Sequence, residues 1–279
     1  MSSMFHIYEK LMNFWKTQNT LLKVSRLLPI DNVVGAATFH ATCFFSCLQL
    51  DKFSYVYAQP STRKADGRYG KSQNRLFTHN QLQYITSPAP ANVRELYLKS
   101  LEYIGFDLKK HDLKFIDNNW NNPSIGARGV GWEVVMDGME ITQFTYFTHM
   151  ADIELHNSPV ELAYGMERLC VMLNNQSIWS CEYDEGVTYK DIFYEREKQM
   201  CTYYNDYNQF EINHLKESLH FVQLPIEKEL WYPAYIHLLN SMAIFDSLDA
   251  KKSFGQMERK KYIEIFAEYS NKIGILCRK

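Results

Sequence analysis

The feature that most constrains the fold is an Asp137-Gly138 dipeptide between two runs of residues that favour β-strands. The segment 131–147 reads GWEVVMDGMEITQFTYF, and most residues outside the dipeptide are β-branched, aromatic or apolar. Asp-Gly suits a two-residue type I′ turn, in which both central residues have positive φ. The segment therefore predicts an antiparallel hairpin with Met136 opposite Met139.

The register of this hairpin brings acidic residues together. A two-residue turn sets position 133 opposite 142 and 135 opposite 140, so strand alternation places Glu133, Glu140 and Thr142 on one face. Adjacent carboxylates in the middle of a sheet are costly unless a cation binds them. The pattern predicts a site for an ammonium group or for Mg²⁺, with Glu133 and Glu140 as the metal ligands. The alternative is that this face is simply exposed to water.

A basic loop is predicted between two strands. Residues 60–76 contain two glycines and five cations, which are Arg63, Lys64, Arg68, Lys71 and Arg75. Arginine binds phosphate oxygens in a bidentate manner, and a glycine-hinged loop can close over a nucleotide, so the loop favours a polyphosphate ligand. A solvated basic loop without a ligand is the alternative, since charge runs usually lie at the surface.

A helix is predicted to begin at Pro159, with Ser158 as its N-cap and Glu161 three residues after the cap. Helical spacing then places Glu161, Tyr164, Gly165 and Arg168 on one stripe. The stripe favours a ligand close to the glycine, because a glycine inside a helix is otherwise unfavourable. Glu161 as half of a capping box, and Arg168 as the partner of a nearby carboxylate, are the structural alternatives.

The remaining pattern predicts an α+β protein in two domains. Strands are expected at 53–59, ending at Pro60, and at 79–85, while helices are expected at 5–18 and 92–104. After about residue 205 only helices are predicted, at 215–221, 233–248 and 256–274. The chain therefore divides into a domain of mixed structure over 1–205 and a smaller helical domain over 206–279.

Composition excludes several classes of function. The net charge of −2, from 30 basic and 32 acidic residues, argues against a chain that holds nucleic acid by itself. Apolar runs are too short to cross a membrane, and Glu9 and Lys10 interrupt the N-terminal pattern that a secretory signal would need. The six cysteines have no metal-ligand spacing. We expect buried, reduced thiols in a cytoplasmic protein.

Seven stretches, in this order, resemble the alpha subunit of bacterial-type, two-subunit glycyl-tRNA synthetase. They are DGRYG at 66–70, NRL at 74–76, RELYLKSLEYIG at 94–105, KHDLKFIDNNW at 110–120, GWEV at 131–134, DGMEITQFTYF at 137–147 and YGMERL at 164–169. GMEITQFTYF and YGMERL together are highly specific. The resemblance implies the class II aminoacyl-tRNA synthetase fold, an antiparallel sheet flanked by helices.

The resemblance also implies roles for particular residues. Arg63 is similar to the second-motif arginine that holds the α-phosphate of ATP, and Arg168 to the third-motif arginine that holds the terminal phosphate. Arg68 or Arg75 is expected to help Arg168 hold the leaving pyrophosphate, and Glu133 or Glu140 to anchor Mg²⁺. The candidates for binding glycine are Gln81, Gln83, Thr142 and Glu161.

The partners implied by the resemblance are a second copy of the chain and a larger beta subunit, in an alpha-two beta-two assembly. Leu28-Pro29 is similar to the end of the first, dimer-forming motif. The beta subunit would supply most of the binding of tRNA(Gly), which agrees with the missing basic excess. Two other functions stay open on the sequence: a related ligase that adenylates another small carboxylate, and a non-catalytic scaffold.

Overall fold

The computed structural model describes residues 2–18, 22–30, 35–64, 75–204 and 209–279. The strands are β1 (Ser25–Arg26), β2 (Phe53–Thr62), β3 (Thr78–Ser87), β4 (Leu113–Asn122), β5 (Ala127–Met136), β6 (Met139–Met150), β7 (Ile153–Glu154), β8 (Val160–Gly165), β9 (Glu182–Asp184) and β10 (Val187–Thr188). The helices are α1 (Met4–Thr17), α2 (Ala41–Gln49), α3 (Val93–Ile104), α4 (Met166–Asn174), α5 (Tyr189–Tyr203), α6 (Gln209–Glu227), α7 (Trp231–Ala250) and α8 (Gln256–Arg278).

The architecture is a mixed sheet with helices on both faces, which confirms the α+β prediction. The strand order is β1-β2-β3-β8-β6-β5-β4, with β7 paired to β6. Strand β1 runs parallel to β2, and the other neighbours in this sheet are antiparallel. Strands β9 and β10 form a separate two-stranded ribbon.

Alternating residues of the sheet enter two hydrophobic cores. Tyr84 of β3 lies in the first core and stacks on Trp15 of α1, with ring centroids 3.9 Å apart. The next residue, Ile85, lies in the second core, where Phe44 of α2 stacks on Tyr235 of α7 at 4.4 Å. Because successive strand residues point to opposite faces, β3 can bury side chains on both sides of the sheet.

The C-terminal helices share the second core with the rest of the chain. Buried residues of α6, α7 and α8 pack together with α2 and with sheet residues such as Tyr57 and Phe147. The three helices confirm the prediction and are longer than expected at both ends of α6 and α7. The predicted domain boundary at 205/206 lies outside the described residues, so the division of the chain at this point stays a prediction.

The other local predictions hold with shifted ends. Helices α1 and α3 and strand β3 lie within two residues of their predicted limits, whereas β2 continues through Pro60 to Thr62. Pro60 is tolerated because it pairs with Asn80 on one side only, next to the short strand β1. The six cysteines form no disulfides, and all except the partly exposed Cys201 are buried. No helix in the described part of the chain is long and apolar enough to cross a membrane.

The predicted type I′ turn is confirmed, but the predicted register is wrong beyond it. Asp137 and Gly138 have φ values of 49° and 83°. The pairs 136–139 and 135–140 form as expected, and a β-bulge then shifts the ladder so that Val134 pairs with Thr142. The turn residues set only the first pairs, and an extra residue in one strand moves the pairing beyond it by one position.

The bulge changes which side chains share a face. Glu133 now pairs with Gln143 instead of Thr142, so Gln143 joins the face of Glu133 and Glu140. Thr142 pairs with the core residues Val134 and Tyr164, and its side chain lies against the Tyr97 hydroxyl. The prediction that Thr142 lies beside the two carboxylates is therefore wrong.

The helix predicted from Pro159 is also wrong at its beginning. Residues Val160–Gly165 form the central strand β8, whose six residues are all buried between β3 and β6. Helix α4 begins at Met166, with Gly165 as its N-cap. Both neighbours of β8 supply backbone hydrogen bonds, and this tertiary pairing overrides the local Ser-Pro-x-Glu helix signal.

Candidate active site

A cavity of about 300 Å³ opens where β3, β4, β6 and β8 meet α4 and α7, and Arg63, just after β2, also lines it. Its charged and polar lining includes Thr38, Arg63, His79, Gln81, Glu140, Gln143, Glu161, Arg168 and Asp246. Strand alternation explains the contribution of the central strands. His79 and Gln81 share one face of β3, and Glu161 and Ala163 share the same face of β8, next to the cavity.

Glu161 is a buried carboxylate at the inner end of this cavity. It is 2% exposed, and Thr38 donates from its hydroxyl to both carboxylate oxygens, at 3.1 and 3.0 Å. The Gln83 side-chain amide donates to the same group. Burial raises the pKa of Glu161 to about 8, and the Thr38 hydrogen bond opposes that rise. A cationic ligand would therefore stabilise the ionised form of this carboxyl group.

Gln81 ties the segment that precedes α2 to the sheet. Its side-chain oxygen accepts from the backbone N–H of Ala37 at 3.1 Å and from the Ser61 hydroxyl at 3.1 Å. This contact holds the short 3-10 helix Ala37–Phe39 against the cavity, where Thr38 reaches Glu161. Gln81 thus shapes the cavity wall beside the buried carboxylate.

Arg168 and Glu140 form an ion pair at the opposite side of the cavity. Arg168 Nη1 lies 2.7 Å from Glu140 Oε2 and also donates to the Glu140 carbonyl oxygen at 2.7 Å. The arginine side chain is 13% exposed and the carboxylate side chain 37%, so an anionic ligand can compete for the guanidinium group. The first turn of α4 positions Arg168, because Gly165 ends the central strand at the cavity.

Arg63, Arg168 and His79 line the same cavity. Burial lowers the pKa of His79 most strongly, the Glu167 carboxylate opposes this, and the charges of both arginines lower it further. His79 Nδ1 lies 2.7 Å from Glu167 Oε2, and Glu167 also accepts from the Asn80 backbone N–H at 2.9 Å. Two arginines that line one cavity make this part of it positively charged, which suits phosphate.

The structure brings together only part of the predicted site. Glu140 and Arg168 pair directly, and Glu161 and Gln83 are hydrogen-bonded. Among the described residues, Glu133 does not line the cavity and instead accepts from the Asn118 amide. Arg75 does not line it either, and Arg68 lies outside the described residues. Thr142 also lines the cavity, but it pairs with the core residue Tyr164 and its hydroxyl lies against the Tyr97 hydroxyl on the core side of the sheet.

Several polar residues of the cavity were not predicted from the sequence, among them Thr38, His79, Gln143 and Asp246. Thr38 lies 123 positions from Glu161 in the chain, so no local spacing could have paired them. His79 could have been found, because it lies two positions before Gln81 on the same face of the predicted strand. Gln143 reaches this face only because of the bulge, which the sequence did not predict. Asp246 reaches the cavity only because of how α7 packs against the sheet.

The fold and the cavity define a class of protein. A mainly antiparallel sheet flanked by helices, with two arginines and a buried carboxylate at one cavity, agrees with the class II aminoacyl-tRNA synthetase fold. The family model described as "Glycyl-tRNA synthetase alpha subunit" matches residues 4–276. The chain therefore belongs to the glycyl-tRNA synthetase alpha subunit family.

Two relatives show how close the similarity is. The glycine--tRNA ligase alpha subunit of Coprothermobacter proteolyticus is 39% identical over 269 residues, which cover 95% of this chain and 90% of the relative. The glycine--tRNA ligase alpha subunit of Petrotoga mobilis is 41% identical over 240 residues, which cover 84% of this chain and 83% of the relative. The similarity thus spans both the sheet and the C-terminal helices.

Proposed function

We propose that this chain activates glycine with ATP and, together with a separate beta subunit, transfers it to tRNA(Gly). The observation that carries the proposal is the placement of two arginines and a buried carboxylate around one small cavity. Arginines suit the phosphates of ATP, and a buried carboxylate suits the ammonium group of an amino acid. ATP would therefore be held through its phosphates, and glycine through its ammonium group.

In the proposed reaction, a glycine carboxylate oxygen attacks the α-phosphorus of ATP. A bond forms between that oxygen and phosphorus, and the bond from phosphorus to the bridging oxygen breaks, so pyrophosphate leaves with the electron pair. The protein contributes by positioning the reactants and stabilising charge. The products are glycyl-adenylate and pyrophosphate.

Each charged side chain has a distinct role in this mechanism. Glu161, held by Thr38 and Gln83, receives the glycine ammonium group. Arg63 neutralises the α-phosphate as negative charge develops there, and Arg168 holds the terminal phosphate. Arg168 exchanges its contact with Glu140 for the phosphate oxygens when ATP binds. Arg68 or Arg75 remains a candidate to help hold the pyrophosphate.

Of the two carboxylates predicted to bind Mg²⁺, only Glu140 is placed to do so in the proposed reaction. Glu140 lines the cavity, Glu133 does not, and no group of three acidic, histidine or cysteine residues in the described part of the chain could hold a metal alone. Protein-bound Mg²⁺ often uses one carboxylate together with phosphates and water. Glu140 would hold such an ion, which would neutralise phosphate charge when bound.

A glycine-dependent exchange of labelled pyrophosphate into ATP tests the proposal. We expect the purified chain to catalyse this exchange with glycine and not with alanine, because a pocket shaped for glycine excludes the extra methyl group by overlap. Exchange with a different small carboxylate would support the related ligase instead. Binding of the beta subunit without any exchange would support the scaffold.

Substitution Glu140→Gln should weaken Mg²⁺-dependent adenylate formation. We expect the exchange rate to fall about tenfold and the Mg²⁺ concentration for half-maximal rate to rise, since one ligand charge is lost. The melting temperature should change little, because a partly exposed ion pair contributes roughly 0–1 kcal/mol and the Glu140 carbonyl still accepts from Arg168. Glu133→Gln, outside the cavity, is the matched control, and an equal loss of rate in both variants would contradict the assignment.

The proposed partners are a second alpha subunit and two beta subunits. With a net charge of −2, the chain alone should bind tRNA weakly. We expect it to form glycyl-adenylate without a partner but to charge tRNA(Gly) only when the beta subunit is added. Transfer of labelled glycine to tRNA, measured with and without that subunit, checks this. Efficient charging by the chain alone would disprove the two-subunit assembly.

A further inference from the structure

Lys64 lies between the candidate phosphate-binding residue and helix α7. It follows Arg63 directly at the end of β2, and its Nζ donates to the carbonyl oxygen of Ala243 in α7 at 2.8 Å. The two ends of this contact are 179 positions apart in the chain. A lysine that is largely withdrawn from solvent to meet a helix carbonyl gives up hydration, so the contact needs a further compensating charge.

Asp246 is an acidic residue on the same helix that lines the cavity and acts on the charge of Lys64. It lies three residues after Ala243 on α7 and lines the cavity together with Arg63. Burial lowers the pKa of Lys64, and Asp246 is the charge that most strongly opposes this. Burial raises the pKa of Asp246 to about 7, and Lys64 is the charge that most strongly lowers it. The two side chains therefore influence each other's charge across the junction of β2 and α7.

Arg63 and its neighbour are attached to two different parts of the fold, one through the backbone and the other through a side chain. The Arg63 N–H donates to the Phe77 carbonyl oxygen at 3.0 Å, which fixes it to the chain entering β3. The next residue, Lys64, is fixed to α7 through Ala243. Arg63, which lines the cavity, lies between these two attachments.

We propose that Lys64 is a positioning residue for Arg63, and that α7 helps to set the direction of Arg63 by accepting the Lys64 ammonium group at the Ala243 carbonyl oxygen, with Asp246 as an acidic group on the same helix. This inference rests on the proposed role of Arg63 as an ATP ligand. It makes a helix from the C-terminal part of the chain a determinant of nucleotide binding. Loss of the ammonium group should misplace Arg63 while the glycine end of the cavity, built around Glu161, stays intact.

Kinetics of Lys64→Met and Asp246→Asn test this on the full chain. Lys64→Met keeps the side-chain length and removes the charge, so we expect the KM for ATP in pyrophosphate exchange to rise about tenfold and kcat to fall. The KM for glycine should change less than about twofold. Lys64→Arg keeps the charge and should recover most of the loss. Lys99→Met, on the exposed face of α3, is the matched control with parental kinetics.

The pH profile separates positioning from a general loss of structure. With glycine saturating, kcat/KM for ATP in the parent should fall as pH drops below about 7, because Asp246 becomes neutral there. The kcat/KM of Asp246→Asn for ATP should be lower than the parental value at pH 8 and should not fall further as the pH drops below about 7. The charges facing this pair are Arg63 at the end of β2, Asp249 on α7, Glu211 on α6 and Arg259 on α8, and they stay unchanged in the variant.

Calorimetric titration of the same proteins with ATP keeps the two proposals distinct. A parent that binds ATP but does not exchange pyrophosphate with glycine would overturn the proposed function, and the ATP affinities of Lys64→Met and Asp246→Asn would still decide the inference. Parental ATP affinity and KM in both variants would overturn the inference while the proposed function stands. Equal changes in the KM values for ATP and glycine, with a lowered melting temperature, would also overturn it.

Discussion

Replacing Arg168 with alanine is expected to reduce glycine-dependent pyrophosphate exchange by at least about 10²-fold, or roughly 2.7 kcal/mol of transition-state stabilisation. Arg168 lines the cavity together with Arg63 and His79. Alanine would leave the terminal phosphate of ATP without its partner and Glu140 without its ion pair, so phosphate binding would lose attraction and meet an uncompensated negative charge.

The loss should come from catalysis and not from unfolding. Arg168 lies in the first turn of α4 with a partly exposed partner, so we expect the melting temperature to fall by only a few degrees, measured alongside the exchange rate. Arg196→Ala, which removes an exposed arginine on α5 that lies over the Phe193 ring, provides the control and should retain parental exchange. If Arg168→Ala exchanged pyrophosphate at the parental rate, the third-motif assignment would be wrong.

Replacing Glu161 with glutamine is expected to raise the KM for glycine by about 10²-fold, because the ammonium group would lose a buried counter-charge worth roughly 2–3 kcal/mol. Thr38 and Gln83 both donate to this carboxylate, which is 2% exposed. Binding of ATP should change little, since Arg63 and Arg168 are unaffected. Steady-state exchange at varied glycine, with ATP saturating, measures the effect.

The same carboxyl group should make glycine binding depend on pH. Burial raises the pKa of Glu161 to about 8 from a usual value of 4.5, so the group is largely neutral at pH 7 until a cation enters. The KM for glycine should therefore rise as pH falls below 8 in the parent, whereas Glu161→Gln should show no such rise. Glu195→Gln, an exposed substitution on α5, should behave like the parent.

Stability should change in the opposite sense. A raised folded-state pKa means that the folded chain holds its proton more tightly, so the contribution of Glu161 to stability is lost progressively as pH rises from about 4.5 to 8. Glutamine cannot ionise, and we expect the melting temperature of Glu161→Gln at pH 8.5 to equal or exceed that of the parent. A parental KM for glycine in this variant, or a melting temperature well below the parent's, would contradict the assignment.

Local sequence determined those elements whose signals act over a few residues. Asp137-Gly138 specified a type I′ turn because both positions need positive φ, and the structure has it. The periodic apolar residues of α1 predicted a helix, and the structure has it. In the structure this helix packs Trp15 against the sheet residue Tyr84. The motifs GMEITQFTYF and YGMERL also indicated the family, because the two together are highly specific. In the structure, Glu140 of the first motif forms an ion pair with Arg168 of the second.

Only the tertiary structure decided the residues whose state depends on distant partners. Val160–Gly165 carries a helix-start signal but forms the central strand, because β3 and β6 satisfy its backbone groups on both sides. Because of the bulge in β6, Gln143 and not Thr142 lies on the face of Glu133 and Glu140. The residues of the turn do not predict such an extra residue in the strand. Thr38 meets Glu161, and Lys64 meets Ala243, only because the folded chain closes loops of more than a hundred residues.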